Sequence, residues 1–259
     1  NRLSHRFMLG ATRWGTGLLA KSWSKKARVE LGARLDLLAG YGAQGLRLHA
    51  FSPTLFPPPE DWAVGNQTTG YFFAEPEPFD PPPALAAFLA AGPPPIYAGF
   101  GSMPGMDPKR QTTAVVEALK AAGQRGIIAT GWGGLAAEAT GPDIHVLKAA
   151  PHTWLFPRVR AVIHHGGSGT THESLRWGKS TIVCPLMGDQ PFFGEMVARI
   201  GAGPRPIPQK RLTGEALAAA IRTAIDPKTE AKADDFGRRI RAEPNGCAIA
   251  ADLIERLAR

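Results

Sequence analysis

An open α/β fold, a parallel sheet with helices on both faces, is predicted for the larger part of this 259-residue chain. Three observations carry the prediction. Short apolar runs alternate with helical patterns from about residue 95 onward, the mark of strands buried on both faces by crossover helices. One of those runs, AVIHH, passes through two glycines directly into a helical pattern, as a tight strand-to-helix turn requires. Hydrophobic residues make up 44% and charged residues 20%, enough to bury a core and incompatible with general disorder.

Taken in order, the elements divide the chain. Residues 1–72 hold one helical pattern, Ala27 to Leu38, and two short apolar runs, LRLHAF and GYFF. That is too little for a complete α/β domain, so the segment reads as the remainder of one. Half of the 24 prolines then fall between Pro53 and Pro95. Proline fixes φ and removes a donor, so residues 73–83 read as an interdomain linker. Residues 84–259 carry the alternation: PIYAGF, then DPKRQTTAVVEALKAAG; GIIAT; IHVLK; AVIHH, then SGTTHESLRWG; STIVCPL, then QPFFGEMVARIG; TGEALAAAIRTAI; and a closing helix over Ala250–Leu257. Asp107-Pro108 suits a helix start, with Asp as cap and Pro in the first turn. Gly123 suits its end.

Composition excludes several classes. Cys184 and Cys247 are the two cysteines, so there is no disulfide scaffold and no cysteine metal cluster. No apolar run reaches the length of a membrane span,, and no secretory leader opens the sequence. A cytoplasmic setting is expected. A first residue of Asn1 rather than Met suggests a processed or truncated product. The net charge of +8 allows an anionic partner: nucleic acid, a lipid surface or a phosphate ligand. The basic residues are scattered and form no nucleic-acid motif, so no nucleic acid is expected.

Several glycine strings fail as motifs. Gly178-Lys179-Ser180-Thr181 resembles the end of a P-loop, but Glu173 stands where the leading glycine belongs,. Gly99-Phe100-Gly101 has Pro104 in place of the third glycine of a dinucleotide fingerprint,. Gly167-Ser168-Gly169 lacks the second glycine of a nucleophile elbow,.

The strongest signal is AVIHHGGSGTTHESLRWG, residues 161–178. Free N–H groups at a helix start form an anion site when no bulky side chain intervenes, and the helix dipole adds about half a positive charge. A histidine at the strand's edge supplies a further donor. These parts suit a diphosphate. An ordinary tight turn with polar packing would use the same residues. A metal role for His164 and His165 is disfavoured, because adjacent strand residues point to opposite faces.

Three further features fall at carboxyl ends of predicted strands, where open α/β sheets bind ligands. Ser102 follows Gly99-Phe100-Gly101 and could donate to a phosphate, or be a simple turn serine. Asp189-Gln190 follows STIVCPL; a carboxylate beside a carboxamide suits sugar hydroxyls, while helix capping is the plainer role for Asp189. Trp132, in GWGG, could stack on a base or simply pack.

Taken together, HHGGSGTTHES, PLMGDQPFF, YAGFGSMP and APHTWLFP resemble the donor half of GT-B glycosyltransferases, most closely sterol glucosyltransferases and related bacterial enzymes. NRLSHR, FPPPEDW and TTGYFF resemble the end of that family's N-terminal domain. The resemblance implies a GT-B type, Rossmann-like donor domain over residues 84–259, with part of a second, acceptor-binding α/β domain before it. It implies that His165 contacts the pyrophosphate and is catalytic. Gly166, Gly167, Gly169 and Thr170 would shape the helix start, Glu173 would bind both ribose hydroxyls, Asp189 and Gln190 would hold the hexose, and Ser102 would approach the phosphate. The chain departs from the pattern twice. Ala149-Ala150 stands where a plant branch has its base-stacking Trp, which passes that role to Trp132 or to backbone contacts. Pro191 replaces an aromatic usual in sterol enzymes.

The implied chemistry is inverting transfer of a hexose, glucose first, from a UDP-sugar donor to a hydrophobic alcohol such as a sterol. No cofactor is implied, and no metal, since donors at the helix start can meet the charge on the leaving group and no Asp-x-Asp string is present. The family's base is a histidine early in the N-terminal domain. His5 and His49 do not match it, so the chain is expected to bind donor and turn over poorly alone. The stretch 13–28, RWGTGLLAKSWSKKAR, fits a peripheral anionic membrane surface, and a solvated helix face with packed tryptophans fits it too. The competing functions are a dTDP-sugar-dependent natural-product glycosyltransferase, a nucleotide-sugar epimerase (for which no carboxylate cluster is visible), and a non-catalytic nucleotide-sugar-binding half.

Overall fold

The computed structural model describes residues 46–62, 65–101, 107–131 and 141–257. The helical pattern at Ala27–Leu38 and the basic stretch 13–28 lie outside the described residues. Two compact units are formed: Asn1–Leu48 with Glu60–Gln67, and His49–Pro59 with Thr68–Arg259. In the smaller, the Arg47 N–H donates to the Gly65 carbonyl (2.7 Å). Strands β1 (Arg47–His49) and β2 (Asn66–Thr68) form a two-stranded sheet. Of the apolar run LRLHAF only this three-residue strand is realised, and GYFF is no strand at all.

The larger unit is built on a five-stranded sheet, all parallel: β3 (Ile96–Gly99), β4 (Gly126–Ala129), β5 (Ile144–Leu147), β6 (Ala161–His164) and β7 (Ser180–Val183), in spatial order β5-β4-β3-β6-β7. The predicted parallel α/β sheet is therefore present. Alternate strand residues feed two cores. Ile96, Ala98, Ile128, Ile163 and Ile182 pack with helices α2 (Pro108–Ala121) and α6 (Gly214–Ala224). Tyr97, Ile127 and Val162 pack with α1 (Pro83–Ala90), α3 (His152–Leu155) and the 3-10 turn holding Phe156. A third cluster, with Leu55, Leu175, Val183 and Phe193, joins α4 (Ser168–Arg176), α5 (Gln190–Arg199) and α7 (Pro227–Arg241). Burial on both faces explains why these strands read as continuous apolar runs.

The strands end level. Gly99 is in register with Ala129 and with His164, His164 with Val183, and Ala129 with Leu147. The chain goes from β3 to β4 on one side and returns to β6 on the other. The crevice between the loops after β3 and β6 is therefore the switch point, where such sheets take ligands.

Helix starts follow the sequence cues. Asp107 accepts from the Arg110 N–H (3.0 Å) at the head of α2, with Pro108 behind it. Gly123, at φ +60°, follows the end of that helix. Three helices lie outside the predicted elements: α1, the single-turn α3 and α7. In α1, a proline in the first turn starts the helix inside a proline-rich stretch,. In α7 the buried residues are only Ala233, Gly237 and Ile240, too faint a stripe to read. Gly237 is needed there, since a Cβ would stand 2.6 Å from the Gly178 nitrogen. The closing helix α8 (Gly246–Leu257) begins four residues earlier than predicted, with Asn245 accepting from the Ala248 N–H (3.1 Å).

Residues 49–59 are tied to the far end of the chain. The Ser52 hydroxyl and the Thr54 N–H both donate to Oε1 of Glu243 (2.5 and 3.0 Å).

Candidate functional site

Strand β6 ends at His164, fully buried. Its Nδ1 accepts from the Gly166 N–H (3.0 Å), so the ring proton sits on Nε2 and the ring is neutral. That bond folds the chain back over one residue. Gly166 takes φ +96°, and a Cβ on it would stand 2.6 Å from Val183 Cγ1 and 2.9 Å from the Gln190 carbonyl oxygen. Only glycine fits. Gly167 then opens α4 with no side-chain cap and no acidic residue in the first turn. The N–H groups of the first turn keep their donor capacity and the positive end of the dipole is unopposed.

His165 is poised beside this helix start. A Cβ on Gly167 would lie 2.6 Å from Nε2 of His165, and one on Gly101 would lie 3.2 Å from its Cε1. Its Nδ1 is buried without a hydrogen-bond partner among the described residues. Burial pulls its pKa below the ordinary histidine value, opposed by the nearby Asp189 carboxylate. His152 is pulled down to about 4 by burial and by the neighbouring His165, and His164 falls well below the ordinary value for the same reasons. A neutral imidazole with one ring N–H therefore stands at the mouth of an uncapped helix. Such an arrangement binds an anion by hydrogen bonds and dipole rather than by a full cation.

The other predicted residues divide into those the structure brings here and those it does not describe. Gly169 is exposed on the first turn and Thr170 half-buried. Glu173, one turn on, is 8% exposed and borders a pocket of about 440 Å³ with His152, Gly169, Tyr71, Ala150 and Pro151. Asp189 is exposed and does not cap α5. Gln190 is buried, and its Oε1 accepts from the Leu186 and Met187 N–H groups (2.7 and 3.2 Å), fastening the loop after β7. Ser102 and Trp132 lie outside the described residues. Their neighbours Gly101 and Gly131 end loops that nearly touch: a Cβ on Gly131 would stand 2.9 Å from the Gly101 carbonyl oxygen.

Two residues at the site escaped the sequence reading. Tyr71 stacks on His172 (centroids 4.1 Å, 13°), and a Cβ on Gly169 would lie 3.1 Å from its hydroxyl. His152 meets the Tyr97 hydroxyl at 3.3 Å and stacks on Phe156. The strings TTGYFF and APHTWLFP contained them, but neither spacing nor composition marks a residue that reaches the site from a distant segment. Among the described residues no group of three His, Cys, Asp or Glu side chains could hold a metal ion. No helix there is long and apolar enough to cross a membrane.

The chain shares its fold with solved glycosyltransferases and its sequence is similar to curated ones. The fold matches the glycotransferase of kitacinnamycin (TM-score 0.65, 22% identity, 91% of this chain and 60% of that one) and the calicheamicin glycosyltransferase CalG4 (TM-score 0.62, 19% identity, 93% and 64%). Residues 134–256 match the family described as erythromycin biosynthesis protein CIII-like, C-terminal domain. In sequence the chain is similar to the sterol 3-beta-glucosyltransferase UGT80A2 of Arabidopsis thaliana, 38% identical over 221 residues, 85% of this chain and 35% of the relative. It is equally similar to the vancomycin aglycone glucosyltransferase of Amycolatopsis orientalis, 39% identical over 208 residues, 79% of this chain and 49% of the relative. The resemblance read from the motifs is thus borne out. The chain spans about a third to a half of these relatives.

Proposed function

We propose that this chain is the donor-binding part of a glycosyltransferase that moves a hexose, glucose first, from a UDP-sugar to a sterol or other lipid-like alcohol with inversion. In this reading residues 1–72 are the remainder of the acceptor domain, 73–83 the linker and 84–259 the donor domain. The observation that carries it is the uncapped start of α4 beside the neutral His165 ring, at the level carboxyl edge of the sheet. An acceptor hydroxyl attacks the anomeric carbon, giving its proton to the base that the resemblance puts early in the acceptor domain, while the bond from that carbon to the diphosphate breaks and the leaving group takes the electron pair and its charge. The N–H groups of Gly167 to Thr170 and a ring N–H of His165 are donors fixed beforehand for that charge, so the step needs no metal. Glu173 faces the ribose, Asp189 and Gln190 the hexose, Ser102 a phosphate and Trp132 the base. A cytoplasmic protein meeting a membrane peripherally would fit an acceptor of this kind.

A second reading has its own support. Similarity extends to the O-mycaminosyltylonolide 6-deoxyallosyltransferase of Streptomyces fradiae, 37% identical over 213 residues, which favours a natural-product acceptor and a deoxysugar donor. Calorimetric titration with UDP, UDP-glucose and dTDP-glucose separates the two. UDP-glucose binding tighter than dTDP-glucose supports the first; the reverse order supports the second; no heat and no melting shift with any of them overturns both.

A further inference from the structure

Glu173 does not stand free at the pocket wall. Its Oε1 accepts from the indole N–H of Trp177, one turn further along the chain (2.6 Å). Its Oε2 lies 3.6 Å from Nη1 of Arg176. Arg176 is itself clamped, its guanidinium 4.4 Å from the ring centre of Phe73 and 5.5 Å from that of Trp177. Burial pushes the Glu173 carboxyl pKa up, while the Trp177 N–H and the Arg176 charge pull it back. A carboxylate carries two acceptor positions on each oxygen. Only Oε1 is taken by a hydrogen bond and Oε2 faces the Arg176 charge, so each oxygen of this pocket-lining carboxylate keeps at least one acceptor position. Two acceptors side by side on a fixed carboxylate match two hydroxyls side by side on a ring.

We infer that Trp177 and Arg176 are positioning residues that hold Glu173 as a two-point acceptor for a vicinal diol, and so make the pocket select ribonucleotides over 2′-deoxyribonucleotides. The inference rests on the proposed reading in which Glu173 faces the ribose. When the 2′-hydroxyl is missing, one acceptor in a nearly buried carboxylate stays unpaired, and an unpaired buried acceptor costs far more than a hydrogen bond gains. An unbraced carboxylate can turn its spare oxygen to water and loses that selectivity.

Calorimetric titration of UDP and 2′-deoxy-UDP against the full chain tests this, with Trp177→Phe keeping the ring and removing the N–H, and Arg176→Gln removing the charge. The unchanged protein is expected to prefer UDP by at least about tenfold, and Trp177→Phe to cut that ratio below about threefold, chiefly by relieving the penalty on 2′-deoxy-UDP. A merely structural role would weaken both ligands alike. Should Trp177→Phe melt at assay temperature, Arg176→Gln decides, with the same fall in ratio expected. Variants that keep the full ratio overturn the brace. An unchanged protein that binds UDP and 2′-deoxy-UDP equally overturns the brace together with the ribose role of Glu173. Absence of any UDP binding overturns the donor-site reading itself.

Discussion

Helices α2 and α4 both follow strands of one sheet and both begin near its carboxyl edge, yet they begin differently. At α2 the Asp107 carboxylate occupies the first-turn N–H of Arg110, and Pro108 removes another donor. The helices α6 and α7 do likewise through Thr213 and Asp226. At α4 glycine stands at the cap position and no side chain bonds to the first turn. Capping is worth about 1 kcal/mol, so a helix that forgoes it gives up stability. An uncharged histidine and three glycines stand around the same uncapped N–H groups. One start is closed by a side-chain cap and the other keeps its N–H donors uncapped, as the proposed donor site requires.

Breaking the open end should have the largest effect. His165→Ala in the complete enzyme is expected to keep the fold and lose at least about 10²-fold in turnover, the usual cost of one preorganised donor; unchanged turnover would remove His165 from the mechanism. Gly166→Ala should be costly in another way. Its φ of +96° and the 2.6 Å approach to Val183 Cγ1 predict a loss of stability on the order of 1–3 kcal/mol, visible in chemical denaturation, with UDP affinity falling alongside. Acid should unsettle the same region. Burial holds His152 and His172 down to about 4, below the ordinary 6.5, so the unfolded chain binds more protons than the folded one. Stability is then complete above about pH 6.5 and falls as the pH drops toward 4, by on the order of 1–3 kcal/mol per ring. A melting temperature that stays level from pH 7 to 4.5 contradicts this. The smallest effect belongs to the closed end. Asp107→Ala should cost about 1 kcal/mol and leave UDP affinity untouched; a matching loss of UDP binding would erase the contrast between the two helices.

Much of this was legible beforehand. The sheet could be read because its strands are buried on both faces and therefore uniformly apolar, and α2 because its cap and its end glycine are local signals. The uncapped, glycine-lined start of α4 could be read because glycines in series and a missing cap are properties of a few consecutive residues. What could not be read is contact between distant segments. Nothing in GYFF says that Tyr71 will cover the α4 start, and nothing in a lone Gln190 says that its carboxamide will fasten its own loop. Helix α7 escaped because a glycine and an alanine line much of its buried face, and close packing of backbones leaves hardly any hydrophobic pattern.

The anchoring of Ser52 and Thr54 on Glu243 has a practical consequence for building chimeras. A piece excised at the proline-rich stretch would leave behind the segment that shields His172 and bonds Oε1 of Glu243, and would arrive with Leu175 and Phe193 partly stripped of their cover. Exchanging the larger unit between relatives therefore calls for a graft in two pieces, the long carboxyl-terminal part together with the short strap of residues 49–59.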